Sequence, residues 1–208
     1  MNFTQLWVII SFFIVLVTYN RNNKLHRILL GILSINLINE IVCLILLYLK
    51  VNISLAYNIN TFFHHSLWLI ILFSIIKRKK VLNIVLPIFL AYGIVNLFLF
   101  EGIQKFNYYT FIFGSFLYLI FFIWESFYRL KIEDLEFFLS NSYILIFAPV
   151  LFFFGLSVVF GFKSKELSDT IIFGNTRLYT VIGYFVNFVY YGLINVYIYR
   201  EKKIKYEH

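Results

Sequence analysis

Cysteine, proline and charged residues are all scarce in this chain. Cys43 is the only cysteine among 208 residues, so no intramolecular disulfide can form. It lies in an apolar run and reads as a small buried hydrophobe rather than a reactive thiol. Charged residues make up 13% and hydrophobic ones 62%, whereas a soluble domain is about a quarter charged and about half apolar. That balance excludes an ordinary soluble fold. Only two prolines occur, alongside many Phe, Ile, Leu, Tyr, Asn and Lys. The bias is that of AT-rich coding, so abundance of aromatics is not by itself a sign of function.

Catalytic signatures are missing too. There is no GxSxG nucleophile elbow and no HExxH zinc motif. The last apolar run has no internal lysine, which excludes a retinal Schiff base. No aspartate falls in an apolar run, which argues against an aspartyl intramembrane protease. The four histidines are too few for the three-histidine zinc hydrolases of the seven-span ceramidase and adiponectin-receptor type. An enzyme is not expected, and no cofactor is called for.

What is present is a series of apolar runs at about 3–19, 27–49, 54–76, 81–100, 109–126, 142–162 and 178–199. Most approach the ~20 residues that cross the hydrocarbon. A lipid-embedded helix satisfies its own backbone, so the expected fold is all-α. It is a polytopic membrane bundle of seven transmembrane helices, with residues 1–208 as one integral membrane domain. The opening residues carry neither a basic leader nor a small-residue cleavage site, so the first run is expected to be retained.

Net charge is +8, but the basic residues sit in short clusters between apolar runs. Thirteen fall on one side, including Arg21, Lys24, Arg27, Lys77, Arg78, Lys79, Lys80, Arg129, Lys131, Arg200, Lys202, Lys203 and Lys205. Five fall on the other: Lys50, Lys105, Lys163, Lys165 and Arg177. The positive-inside rule then sets the N-terminus outside and the C-terminus in the cytoplasm. Lys77–Lys80 with Arg200, Lys202 and Lys203 are the expected cytoplasmic contacts to anionic lipid or a partner. No nucleic-acid partner is expected, because no basic groove or binding module is visible. The connection 127–141 alternates apolar and charged residues and suits either the membrane interface or a solvated loop. The connection 163–177 is the other long one.

Ionisable groups inside apolar runs are costly and are functional candidates by default. Glu40 is one, four residues after Asn36 and so on the same helix face. His64 and His65 are the others, with Asn60 four residues before His64. Glu40 and the histidines fall roughly 14–17 Å from the outer surface at 1.5 Å per residue. Asn187 reaches a similar depth, and Asn96 lies in the outer half of its run. A polar cluster of Asn36, Glu40, Asn60, His64, His65, Asn96 and Asn187 is the expected site, with Glu40 paired to one histidine. It admits three readings: interhelical hydrogen bonds that hold the bundle, a binding or sensing pocket open to the outside, or a metal site. Glu40, His64 and His65 barely reach three ligands, and adjacent histidines chelate poorly from one helix, so no metal is expected. Glu125, with Arg129 four residues on, reads as an interfacial ion pair. His26 and His208 lie on the cytoplasmic side.

The hairpin INLINE…YNINTFFHH, the segment GSFLYLIFFIWESFY and the closing LYTVIGYFVNFVYYGLINVYIYREKK resemble a loose group of small, aromatic-rich seven-span membrane proteins. These are common in AT-rich Gram-negative bacteria and often encoded near sensor kinases. The resemblance implies a bacterial inner-membrane location and a sensory or signalling-accessory role, coupled to a membrane or cytoplasmic partner. A small transporter or channel is the alternative, with Glu125 and Asn195 extending the polar path inward. A membrane accessory of a phage-defence system, like the multi-pass partners of type VI-B CRISPR effectors, is another.

Overall fold

The structure, a computed structural model, describes residues 3–161, 170–174 and 176–206. Lys163, Lys165, His208 and much of the 163–177 connection lie outside the described residues. The helices are α1 (Phe3–Val17), α2 (Lys24–Tyr48), α3 (Ser54–Ile75), α4 (Lys79–Val95), α5 (Tyr108–Lys131), α6 (Leu135–Leu139), α7 (Asn141–Gly161) and α8 (Leu178–Tyr206). α4 continues as one π-helical turn, Asn96–Phe100. Before α8, β1 (Ile171–Phe173) pairs antiparallel with β2 (Thr176–Arg177), a small hairpin that the apolar pattern did not announce.

The seven expected runs are all helical, and their ends shift by a few residues. α5 extends five residues beyond its expected end at 126, and α8 seven beyond 199. Among the described residues, five helices are long and apolar enough to cross a membrane: Lys24–Tyr48, Lys79–Phe100, Tyr108–Lys131, Asn141–Gly161 and Leu178–Lys203. α1 is apolar but has only 15 residues. α3 has 22 residues but carries two asparagines, a threonine and both histidines within its first twelve.

The packing explains that polarity. α1, α2, α3, α5, α7 and α8 close into a ring of neighbours, and α4 lies outside it against α3 and α5. α3 touches α2, α4, α5 and α7 and leaves one apolar stripe exposed, Leu55, Ile59 and Phe63. Trp68, Leu69, Ile71, Leu72 and Phe73 of α3 are all fully buried. Away from that stripe the helix is screened by its neighbours and has no need of an apolar surface. By contrast α2 exposes Ile38, Ile41, Leu44 and Ile45, as a lipid-facing wall would.

Three helices stop by the same device. Lys50, Lys77 and Glu133 adopt positive φ (57°, 58° and 57°). The next residue in each case donates its N–H five residues back, Val51 to Leu46, Arg78 to Phe73 and Asp134 to Arg129. This is the 6→1 bond of a Schellman termination, built here without glycine. Pro87 and Pro149 both sit inside helices, as expected from their place in apolar runs. The 127–141 connection forms α6, which exposes Leu135 and Leu139 in the manner of an interfacial segment.

Candidate functional site

The inner side of the helix ring opens, at the end where α3 and α5 begin, into a cavity of about 420 Å³. Spacing brings its polar wall together. Asn36, Asn39 and Glu40 fall on one face of α2, and Asn60, Thr61, His64 and His65 stack at i, i+4 on α3. α8 contributes Asn187 and Tyr191. Aromatic and aliphatic side chains from α5, α7 and the loop before α5 complete the wall. Six of the seven expected site residues therefore border one cavity.

Asn96 does not. Its amide donates to Glu101 Oε2 at 2.7 Å and to Thr110 Oγ1 at 2.9 Å. Glu101 Oε2 also accepts from the Tyr109 N–H at 3.0 Å, so this cluster ties the π-turn of α4 to the start of α5. The placement differs from expectation because α4 packs outside the ring, where its polar residue meets α5 and not the cavity.

The expected Glu40–histidine pair is also absent. Glu40 Oε2 instead accepts from Gln5 Nε2 of α1 at 3.1 Å. Successive α3 residues point about 100° apart, and the histidines go separate ways. His64 faces α8, where its Nε2 lies 3.0 Å from the Tyr190 hydroxyl and 3.3 Å from Trp68 Nε1. The indole can only donate; it also reaches Tyr190 Oη at 2.9 Å. The consistent assignment has Trp68 donate to Tyr190 and Tyr190 donate to His64 Nε2. His64 is then a neutral Nδ1–H tautomer. Among the described residues its Nδ1 has no hydrogen-bond partner, and His64 lines the cavity.

His65 faces α5 and is saturated. Its Nδ1–H donates to the Thr61 carbonyl at 2.9 Å, and its Nε2 accepts from the Ser115 hydroxyl at 3.2 Å. The ring stacks on Phe153 at 4.5 Å and 21°. His65 is thus a packing element with both nitrogens used. Asn36 donates to the Tyr191 hydroxyl at 3.4 Å, and Asn187 donates to the Gly183 carbonyl of its own helix at 2.8 Å. Asn60 lines the wall with its Oδ1 unpaired.

Sequence reasoning missed Gln5 as the partner of Glu40, and Trp68 and Ser115 as the histidines' partners. A glutamine in the first turns of an apolar helix was a readable signal. The tryptophan and serine carried none, since both are ordinary in such helices.

At the opposite end, Glu125 is 2% exposed and accepts from Arg129 Nε at 2.7 Å. Arg78 from the basic loop adds a second guanidinium, its Nε 3.5 Å from Glu125 Oε2 and its plane over the Trp124 ring at 4.4 Å. Arg129 also binds Asp134 at 2.7 Å, and Asp134 caps α6 by accepting from the Phe137 N–H. Arg200 donates to the Leu139 carbonyl at 3.1 Å. Two of the seven expected basic contacts, Arg78 and Arg200, are therefore built into the fold. Lys77, Lys79, Lys80, Lys202 and Lys203 are exposed.

Among the described residues, no group of three or more His, Cys, Asp or Glu side chains is placed to hold a metal ion. No family model, curated protein or solved structure matches the chain.

Proposed function

We propose that this chain is a seven-helix bacterial inner-membrane protein, N-terminus outside and C-terminus cytoplasmic, that receives a small ligand in its outer cavity. Its role is sensory or signalling-accessory rather than catalytic, with a membrane or cytoplasmic partner reading the basic end. α1 joins the five longer helices as a lipid-facing span, exposing Leu6, Phe13, Ile14 and Leu16. α3 is the seventh, packed against four neighbours with Leu55, Ile59 and Phe63 left facing outward.

The observation that carries this reading is that the cavity is one-ended. Its floor is the layer of His64 and His65. Below them come Trp68, Leu69, Leu72 and Tyr118, all fully buried. Glu125, which a polar path would need, lies ten residues further along α5 than Ser115, or roughly 15 Å, and is clamped by two arginines. A transporter or channel needs the path that this layer interrupts.

The test is a directional labelling experiment. Asn60→Cys in a Cys43→Ser background places one thiol on the cavity wall. A membrane-impermeant thiol reagent is expected to label it in intact cells and not in inverted vesicles. Labelling from both sides favours transport, and labelling from neither removes the cavity as a ligand site.

A further inference from the structure

We infer that the ligand of this cavity is a small organic cation, an amine held by the Glu40 carboxylate between aromatic walls. The inference rests on the reading of the cavity as a ligand site and deepens it to a chemical class.

Glu40 is one carboxylate at membrane depth with an incomplete set of partners. Oε2 takes a hydrogen bond from Gln5, a neutral donor. Among the described residues Oε1 takes none, and Glu40 lines the cavity. Among the described residues lining the cavity, none is lysine or arginine, and both histidines carry hydrogen-bonding patterns of neutral rings. Among the described residues this carboxylate has no counter-charge, and an unpaired carboxylate at membrane depth is an energetic deficit. A cation entering the cavity removes that deficit, whereas an anion deepens it.

The walls define the cation further. Tyr57, Phe106, Phe152 and Tyr191 all border the cavity, and aromatic rings favour a positive charge spread over carbon and nitrogen. Among the described residues, no group of three or more His, Cys, Asp or Glu side chains is placed around Glu40 to hold a metal ion. About 420 Å³ is room for a ligand well beyond a metal ion and within the usual range of small-molecule sites. At the floor, the His64 Nδ1–H is a fixed donor, oriented by Tyr190 and Trp68 from behind. It suits an acceptor atom or a π face at the end of the ligand away from the amine.

The experiment uses the full-length protein in lipid nanodiscs at neutral pH, with empty nanodiscs subtracted. Three probes share a phenethyl body and carry a positive, neutral or negative head group: phenethylamine, 2-phenylethanol and 3-phenylpropionate. Binding is read by calorimetry and by protection of Asn60→Cys from thiol labelling. Phenethylamine is expected to bind saturably and to protect the thiol. It should bind at least tenfold more tightly than 2-phenylethanol, with 3-phenylpropionate weakest. Glu40→Gln, which keeps an acceptor for Gln5, is expected to reduce the amine's advantage to under threefold. The comparison among probes on the unmutated protein stands even if that variant accumulates poorly. If 2-phenylethanol protects as well as the amine, the cavity remains a ligand site and the cation assignment is overturned. If no probe binds while Asn60→Cys is labelled from outside, the assignment is overturned as well. Only absence of labelling from either side would overturn the ligand site itself.

Discussion

Replacing Gly114 by alanine inserts a methyl group where α5 crosses the histidine layer. A Cβ built at that position would lie 2.6 Å from His65 Cδ2 and 2.6 Å from Phe89 Cε2. Carbon atoms pack without repulsion at roughly 3.5–4.0 Å, so both rings would have to retreat by about 1 Å. Neither has room. Phe89 is fully buried. His65 is tethered at 2.9 Å to the Thr61 carbonyl and at 3.2 Å to Ser115, the residue next to the mutation, and it stacks on Phe153. Overpacking of this kind costs about 1–3 kcal/mol. Alanine recovers about 0.5–1 kcal/mol of helix preference, so the expected net loss is about 1–2 kcal/mol. Gly31→Ala provides the control. It lies in the middle of α2 with nothing within 4 Å of the new methyl, so only the helix-preference gain applies. The two variants should therefore separate by about 2 kcal/mol in reversible unfolding, measured in mixed detergent micelles. A Gly114→Ala protein as stable as Gly31→Ala would show that α3 and α5 do not approach as closely as this packing requires.

Two further predictions concern the ends of the bundle. Glu125→Gln removes the charge that Arg129 and Arg78 share and should lower stability by about 2 kcal/mol, the range for a charge-assisted hydrogen bond. An unchanged unfolding midpoint would mean the arginines are satisfied by Asp134 and the flanking rings alone. Asn58→Ala removes a side chain that donates to the Lys105 carbonyl at 2.9 Å and accepts from the Asn107 N–H at 2.9 Å. At about 1 kcal/mol per bond the loop before α5 loses about 2 kcal/mol of local stability. The Asn107 amide should then exchange roughly thirtyfold faster. Equal exchange in the variant would show that the loop is held by other contacts.

Much of this molecule was legible before its structure. Hydropathy measures what each residue would lose in lipid, and that quantity depends on composition over about twenty positions. The apolar runs therefore marked every long helix, to within a few residues at most ends. The same energetic argument picked out Glu40, His64 and His65, because a polar side chain in an apolar run needs an enclosed place to go. Helical spacing also put Asn36 with Glu40 and Asn60 with His64, and those pairs do share the cavity wall. Glu125 with Arg129 was readable at i, i+4, while Arg78 was not, since nothing local joins the loop before α4 to the end of α5.

Helix rotation and neighbourhood were decided only by the tertiary structure. In water an amphipathic stripe reveals which face is buried. Here the lipid face and the core face are both apolar, and α2 and α7 show almost no asymmetry around their axes. Sequence could thus place Asn96 at the right depth but not on the right side. It could offer Glu40 a histidine but not see that α1 delivers Gln5 first. Nor could it tell that α3 packs against four other helices, which shelters the polar residues that form the floor of the site. The sequence alone determined a membrane bundle with a few polar groups that must be sheltered. Packing determined which of them meet, because only the assembled ring distinguishes an apolar surface facing lipid from one facing protein.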